Sequence, residues 1–270
     1  MAHEPARAHP DDDLVVAGRD GLHCPRGGFV IDPWRPVPGA VITHAHGDHA
    51  RRGAGRYIAA APGVPILRQR LGHDIDVVGL EYGESIELGA GGARGSRGAV
   101  RVSLHPAGHC LGSAQVRIED GDRVAVVAGD YKRAPDPTCA AFEVIPCELF
   151  VTEATFALPV YRWDPTTQVI EAIRAWWMEN RAAGRTSVLF CYALGKAQRL
   201  LAEIARGWPV PEPVIVHGAL AALNERYLEQ GVELAPTRLL SEGASRRRGT
   251  VVGQGALVLA PPSAAGSPWM

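Results

Sequence analysis

The heptapeptide at residues 43–49 constrains this chain more than any other segment. It reads Thr-His-Ala-His-Gly-Asp-His and carries four potential metal ligands, His44, His46, Asp48 and His49. Residues two apart on extended backbone point the same way, so His44 and His46 can bind one ion while Asp48 and His49 turn toward a second position. Imidazole and carboxylate suit zinc, manganese or iron. The apolar run at 40–42 predicts a buried strand, so the ligands lie on a loop at a strand end. A fortuitous surface run of histidines is the competing interpretation, and this spacing behind a buried strand disfavours it.

Two further ligand candidates follow along the chain. His109 comes just after a predicted strand end, and Asp130 follows the apolar run Val-Val-Ala-Gly. A carboxylate at a strand end can bridge two ions, and ions about 3.5–4 Å apart can clamp a phosphoryl oxygen. Taken alone, a Gly-Asp pair is more often a turn and a single histidine is more often structural. Together with the heptapeptide they predict a two-metal site.

Composition limits the classes of protein and partner. With 270 residues, 46% of them hydrophobic and 21% charged, the chain is ordinary for a globular protein with a sizeable core. A net charge of −1 gives no global basic field, so nucleic acid would be contacted through a local patch. The five cysteines are odd in number and scattered, which favours reduced thiols in a cytoplasmic protein over a disulfide framework. Neither a signal peptide nor a membrane span is predicted.

The pattern of secondary structure changes near residue 164. Before it, short strands are broken by glycine and proline, with helices predicted only after His49 and over Ile66–Leu71. The predicted strands are Leu14–Ala17, Phe29–Asp32, Val41–Thr43, Tyr57–Ala59, Ile75–Leu80, Ser85–Leu88, Val100–Leu104, Ala114–Ile118, Arg123–Ala128 and Leu149–Thr152.

After residue 164 helices and strands alternate, which indicates an α/β unit. Asp164 and Pro165 predict a helix start, as N-cap and first helical residue, and Gly184 predicts its end. The later predicted elements are strands at Ser187–Cys191, Val214–Val216 and Ala256–Ala260, and helices at Lys196–Arg206 and Leu220–Gln230. The basic run Ser245–Arg248 is interpreted as a solvated loop.

The ligand set of this chain resembles that of the metallo-β-lactamase superfamily. In chain order it is Asp32, His44-Ala-His46-Gly-Asp48-His49, His109 and Asp130. Two segments are similar to its β-CASP nuclease branch: 151–156 resembles the acidic motif, and 192–198 resembles the helix-opening motif of the inserted cap domain. Four further segments are most similar in sequence to bacterial ligase-associated DNA exonucleases: 31–36, 129–133, 158–163 and 260–269. The resemblance covers nearly all of residues 14–270.

The resemblance implies a fold and a domain order. The fold is α/β, a metallo-β-lactamase αβ/βα sandwich that is incomplete at its C-terminal end, with an inserted β-CASP α/β cap. Residues 1–13 would be a disordered N-terminus, 14–163 the lactamase domain and 164–270 the cap.

The resemblance also implies residue roles. His44, His46 and His109 would hold the first of two divalent ions, with zinc expected before manganese. Asp48 and His49 would hold the second ion, and Asp130 would bridge the two. Asp32 would orient a ligand histidine. The expected catalytic residues are Asp48, Asp130 and Glu153, and Lys196 would bind a substrate phosphate, unless it is only a solvated first-turn lysine.

The family's later histidine segments do not occur in this sequence, and one of them supplies a ligand of the second ion. We therefore expect a weakened second metal position and an impaired, poorly stable product. His217 follows an apolar strand, but it lies inside the predicted cap, and we favour a role there over metal binding.

The leading functional hypothesis is a metal-dependent phosphodiesterase, a DNA exonuclease of the ligase-associated type acting in end processing or repair. The expected partners are nucleic acid, DNA first, and DNA ligase or helicase repair machinery, with no membrane. Three alternatives stay open: an RNA-processing nuclease of the same branch, a small-molecule hydrolase, which the cap-like segment disfavours, and a non-catalytic nucleic-acid-binding remnant, which the missing histidines favour.

Overall fold

The computed structural model describes residues 13–89, 98–208, 212–240 and 253–267. In this part the chain forms a mixed α/β structure of two compact units. The first consists of the described residues up to Pro135 and of Cys139–Glu153, and the second of Asp136–Thr138 and the described residues from Ala154 onward. The domain assignments 14–163 and 164–270 stay predictions. The expected N-terminal disorder, except at Asp13, and the basic run Ser245–Arg248 lie outside the described residues.

The first unit begins with a six-stranded sheet, in the order in which its strands occur along the chain. Its first three strands are antiparallel, and the pairs from the third strand onward are parallel. A short 3-10 helix, Ala61–Gly63, and helix α1, Val64–Leu71, connect its last two strands. The strands are β1 (Val16–Ala17), β2 (Leu22–Cys24), β3 (Phe29–Ile31), β4 (Gly39–Val41), β5 (Arg56–Ala60) and β6 (Val77–Leu80).

A five-stranded sheet completes the first unit, in the order β11-β10-β9-β8-β7. Its pairs are antiparallel except β10 with β11, which is parallel. The strands are β7 (Ser85–Leu88), β8 (Val100–Pro106), β9 (Ala114–Asp120), β10 (Arg123–Val127) and β11 (Leu149–Val151).

The inward faces of the two sheets share one hydrophobic core. In β8, Val100, Val102 and Leu104 are fully buried and Arg101 is exposed, and the polar Ser103 is buried as well. The three apolar side chains join Ile31 and the apolar residues of β4 and β5 in one cluster. The core therefore holds the ends of β3, β4, β8 and β10 in fixed positions.

The second unit is built on a parallel sheet with strand order β12-β15-β13-β14. Its strands are β12 (Ser187–Phe190), β13 (Val214–Val216), β14 (Thr237–Leu239) and β15 (Leu257–Ala260). Its helices are α2 (Thr166–Ala182), α3 (Lys196–Gly207) and α4 (Gly218–Glu229). In its core Trp177 stacks on Trp208 with ring centroids 5.8 Å apart. None of the helices in the described parts of the chain has the length and apolar character to cross a membrane.

Most predicted elements are confirmed within one to three residues, but the helix predicted after His49 is wrong. His49 and Ala50 donate their backbone N–H groups to the carbonyl of His46, which makes a turn, and no helix follows before β5. Gly53, at φ 120°, packs against Pro36 and directs the chain into β5 instead.

One other prediction needs correction, and two strands need to be added to the predicted elements. The first helix of the second unit begins at Thr166, because Pro165 is the extended N-cap residue and no side chain caps the helix. Asp164 is therefore not its N-cap. Strands β2 and β14 were not predicted. All five cysteines are free, as predicted, and Cys24 and Cys110 are buried.

The loop after β8 tests how tightly this fold is packed. Gly112 has φ 75°, and a Cβ placed on it would lie 2.1 Å from the Cα of Gly63. We expect Gly112→Ala to lower the free energy of unfolding in urea by about 2 kcal/mol more than Gly121→Ala. Gly121 is the matched control, because it has φ 61° but nothing within 4 Å of an added Cβ. Equal losses in the two variants would contradict this packing.

Candidate metal centre

The parallel pairing of β3 with β4 brings the two first parts of the site together. Asp32 follows β3, and the loop 42–50 follows β4, so both leave the sheet at the edge formed by the strands' carboxyl ends. Thr43 is buried, and its backbone N–H and Oγ1 donate to the two carboxylate oxygens of Asp32 at 2.8 and 2.5 Å. The loop is thereby fixed to β3 at its first turn.

Four side chains converge on a first position, His44, His46, His109 and Asp130. The Nδ1 atom of His46 lies 2.9 Å from Nε2 of His44 and 3.2 Å from Nε2 of His109. The Oδ2 atom of Asp130 lies 3.5 Å from Nε2 of His109 and 3.8 Å from Nε2 of His44. Two ligand atoms each about 2 Å from a tetrahedral ion lie about 3.3 Å apart. The donors thus have the chemistry and spacing to hold a divalent ion.

A second group of donors lies on the other side of Asp130. Its Oδ1 atom is 3.2 Å from Nε2 of His49, so its two oxygens face different histidines. The same Nε2 atom is 3.8 Å from Oδ2 of Asp48, whose side chain is 77% exposed. On the other edge of the ring, Nδ1 of His49 lies 2.7 Å from Oδ2 of Asp32. The two oxygens of Asp130 therefore face different histidines, and Asp32 contacts the opposite edge of the His49 ring.

Burial and charge act in opposite directions on the histidines of the site. Burial, and then the neighbouring histidines, lower the pKa of His44 well below its usual range, which keeps its ring neutral and able to bind a metal. Burial and the nearby His46 also lower the pKa of His109. Burial lowers the pKa of His49 as well, but hydrogen bonds to Asp130 and Asp32 outweigh it and raise the pKa to about 10. The bond to His49 lowers the pKa of Asp130.

Two other predicted site residues, Glu153 and Lys196, are not members of this four-residue group. Glu153 lies in the exposed stretch after β11, and its carbonyl accepts a bond from Thr152. Lys196, in the second unit, is the first residue of α3, with its Nζ 4.9 Å from the ring centroid of Tyr192. His217, also in the second unit, caps α4, since its Nδ1 accepts from the N–H of Ala219 at 3.1 Å. The roles of Glu153 and Lys196 stay predictions.

Sequence reasoning missed two residues of the site. The first is Thr43, whose Oγ1 binds Asp32 and also lies 3.1 Å from Nδ1 of His44. A glycine is required at position 129, because a Cβ on Gly129 would lie 2.6 Å from Oγ1 of Thr43. Arg70 reaches the loop from α1, with Nη2 3.2 Å from where a Cβ on Gly47 would be. The threonine directly before the first histidine is a local signal, whereas only the fold brings Arg70 here.

The chain is similar in sequence to three proteins of known name. It is 32% identical over 223 residues, 81% of its length, to a protein of Opitutus terrae named "Probable DNA ligase". It is 30% identical over 115 residues to "Endoribonuclease YSH1" of Gibberella zeae and 27% identical over 113 residues to "Endoribonuclease ysh-1" of Neurospora crassa, in each case over 41% of its length. The chain spans 20% of the first relative and 13% of each of the other two.

Other comparisons concern the family and the fold. No family model matches the chain. A crystal structure of a protein of unknown function from Enterococcus faecalis V583 has a similar fold, with a TM-score of 0.55 at 14% identity, over 82% of this chain and 58% of that one. At this identity the similarity concerns the fold alone.

The two groups of donors predict that substitutions in one group remove metal from that group alone. We expect His49→Ala to retain the ion at the first position, which has four donors, and to lose the ion at the second. Asp130→Ala should weaken both, because its oxygens face both groups. The measurement is zinc content by mass spectrometry after loading and dialysis. His217→Ala is the control, because its ring caps α4 in the second unit. Metal content in Asp130→Ala equal to that of the control would contradict the bridging arrangement.

Proposed function

We propose that this chain is the metal-binding part of a hydrolytic nuclease, a phosphodiesterase of the β-CASP branch of the metallo-β-lactamase superfamily. The observation that carries the proposal is Asp130, whose two oxygens face His109 and His49 from one side chain. A carboxylate that faces two metal positions suits the two-metal form of phosphoryl chemistry. In this proposal the first unit, two sheets around one core, is the lactamase sandwich, and the second unit is the β-CASP cap.

The donors fit two divalent ions, zinc first and manganese second. His44, His46, His109 and Asp130 would hold one ion, and Asp48, His49 and Asp130 the other. When bound, such a pair supplies Lewis acidity toward a phosphodiester and makes water a nucleophile at neutral pH. The second position has fewer donors among the described residues, and one of them, Asp48, is largely exposed. We therefore propose that the second ion binds more weakly than the first.

The chain's own groups would position the reactants and move the protons. Asp32 and Thr43 hold the ring of His49 so that Nε2 faces Asp130. Asp48 and Asp130 are carboxylates that can orient the attacking water and accept its proton. Glu153 is the proposed acidic residue on the leaving-group side, and Lys196 a phosphate ligand at the N-terminus of α3.

The relatives support two substrate classes. A DNA exonuclease of the ligase-associated type is proposed first, because the relative named "Probable DNA ligase" matches 81% of this chain. Association with DNA ligase in end repair belongs to the same proposal. An RNA-processing nuclease is the second candidate, supported by the two endoribonucleases, which match 41% of the chain.

The test is cleavage of labelled single-stranded DNA and RNA of matched sequence by zinc- or manganese-loaded protein. We expect cleavage to need the metal and to fall at least about a hundredfold in the double variant Asp48→Ala, His49→Ala, which removes donors of one position. The control is His217→Ala, which we expect to cleave as the wild type does.

Three results would change the conclusion. Cleavage that survives in the double variant or in a chelator would reject the metal mechanism. Strand binding without cleavage in excess Mn²⁺ or Zn²⁺ would favour the non-catalytic alternative. Faster cleavage of the RNA strand would favour the second substrate class.

A further inference from the structure

Three aromatic side chains, Tyr131, Phe142 and Phe150, form a cluster in the first unit, here called the aromatic platform. The ring centroids of Tyr131 and Phe142 are 5.1 Å apart with an interplanar angle of 34°, and those of Tyr131 and Phe150 are 6.1 Å apart at 78°. Phe150 is 42% exposed, and the other two residues are half-buried. Exposed apolar surface formed by neighbouring side chains often marks a binding site.

The edge of the sheet explains why Phe150 is accessible. It is the middle residue of β11, the terminal strand of the five-stranded sheet in the described structure, and it pairs with Val126 of β10. Its neighbour Leu149 is 41% exposed, but alternate residues of a strand point to opposite faces. The two residues therefore have equal exposure and different surroundings.

Two residues of the platform adjoin segments that carry candidate metal ligands. Tyr131 follows the bridging carboxylate Asp130 directly in the chain. Phe142 packs on Gly108, the residue before His109, and a Cβ on Gly108 would lie 3.3 Å from the Cβ of Phe142. The backbone N–H of Lys132 donates to Ala107 at 2.9 Å, which ties this segment to the same loop.

The charges beside the platform suit a polyanion. Lys132 and Arg133 follow Tyr131 along the chain, while the net charge of the whole protein is −1. Glu143, next to Phe142, has its carboxylate 3.1 Å from Nδ1 of His105. Lys132 and Arg133 therefore supply basic side chains next to Tyr131 in the chain, and a nearly neutral protein would contact a polyanion through such local residues.

We infer that the aromatic platform stacks a base of a single-stranded nucleic acid whose phosphodiester lies at the metal centre. The inference rests on the proposed function. Aromatic rings beside basic side chains bind single strands with little sequence preference, because every base offers a π-face. Base stacking uses the planar ring of Phe150, whereas Leu149 is equally exposed but lies on the opposite face of β11 and would not contact the base.

The experiment measures binding of fluorescent oligothymidylate and oligouridylate, with phosphorothioate linkages to suppress cleavage, by anisotropy of zinc-loaded protein. We expect Phe150→Ala to raise Kd roughly tenfold, within the range that base–aromatic stacking gives on alanine substitution. Leu149→Ala should leave Kd unchanged, and Phe150→Trp should restore binding. The same strand made abasic should bind wild type and Phe150→Ala alike. Zinc content and thermal unfolding verify that each variant is folded.

Each outcome decides the matter. Three results would overturn the platform. The first is an equal Kd for Phe150→Ala and Leu149→Ala, and the second is that Phe150→Ala weakens binding of the abasic strand as much as binding of the intact strand. The third is that the wild type binds no strand. Metal-dependent cleavage together with any of these results would leave the proposed function standing. A Phe150-specific loss together with cleavage that survives in Asp48→Ala, His49→Ala would support the platform and reject the metal mechanism. A similar loss on the two strands would assign single strands in general, and a difference would show that the platform distinguishes the thymidylate strand from the uridylate strand.

Discussion

The carboxylate of Asp32 holds the candidate metal centre together. The residue sits at φ 46°, a conformation that few non-glycine residues adopt, at the point where β3 ends. From there its two oxygens accept from the backbone and side chain of Thr43 and contact His49. Hydrogen bonds to a charged group contribute about 1.5–3 kcal/mol each, enough to offset the backbone strain. One side chain thus connects the parallel pair β3 and β4 to the orientation of a ligand.

The remaining ligands depend on that anchor and on the second sheet. His109 comes from the loop between β8 and β9, where the hydroxyl of Ser113 accepts from its backbone N–H at 3.1 Å. Asp130 comes from the end of β10, and Gly129 before it passes close to Thr43. The two sheets therefore bring their ligands together because one core fixes both. A bound ion would in turn stabilise the folded unit, since the unfolded chain has no comparable site.

The sequence predicted best those features of the structure that depend on neighbouring residues in the chain. The alternation of the apolar residues of β8 is visible in the chain, and Val100, Val102 and Leu104 are fully buried. The ligand spacing at 44–49 is likewise local, and the structure brings His44, His46, His109 and Asp130 together as a possible metal group. The prediction of a helix after His49 was wrong, because Gly53 contacts Pro36, seventeen positions earlier in the chain, and directs the backbone into β5.

Residues without a local pattern could not be found in this way. Arg70 contacts the ligand loop only because α1 packs beside it, and its segment reads as an ordinary amphipathic helix. The aromatic platform joins residues 131, 142 and 150, which have no common spacing. Strand β14 is three residues long and only half-buried at its start, which is too short for a periodic signal. Each of these features is set by tertiary contacts.

The strand order of the second unit has a consequence for biosynthesis. Its sheet runs β12-β15-β13-β14, so β15 lies between two strands that are made before it. Ser187 pairs with Leu257 across seventy positions of sequence, and Ile215 pairs with Val258 on the other side. Until β15 leaves the ribosome, β12 and β13 have no hydrogen-bonding partner between them, and the strand edges that face each other stay unpaired. Folding of this unit is therefore tied to completion of residues 257–260, and a chain stalled before them presents two open strand edges to chaperones and to other nascent chains.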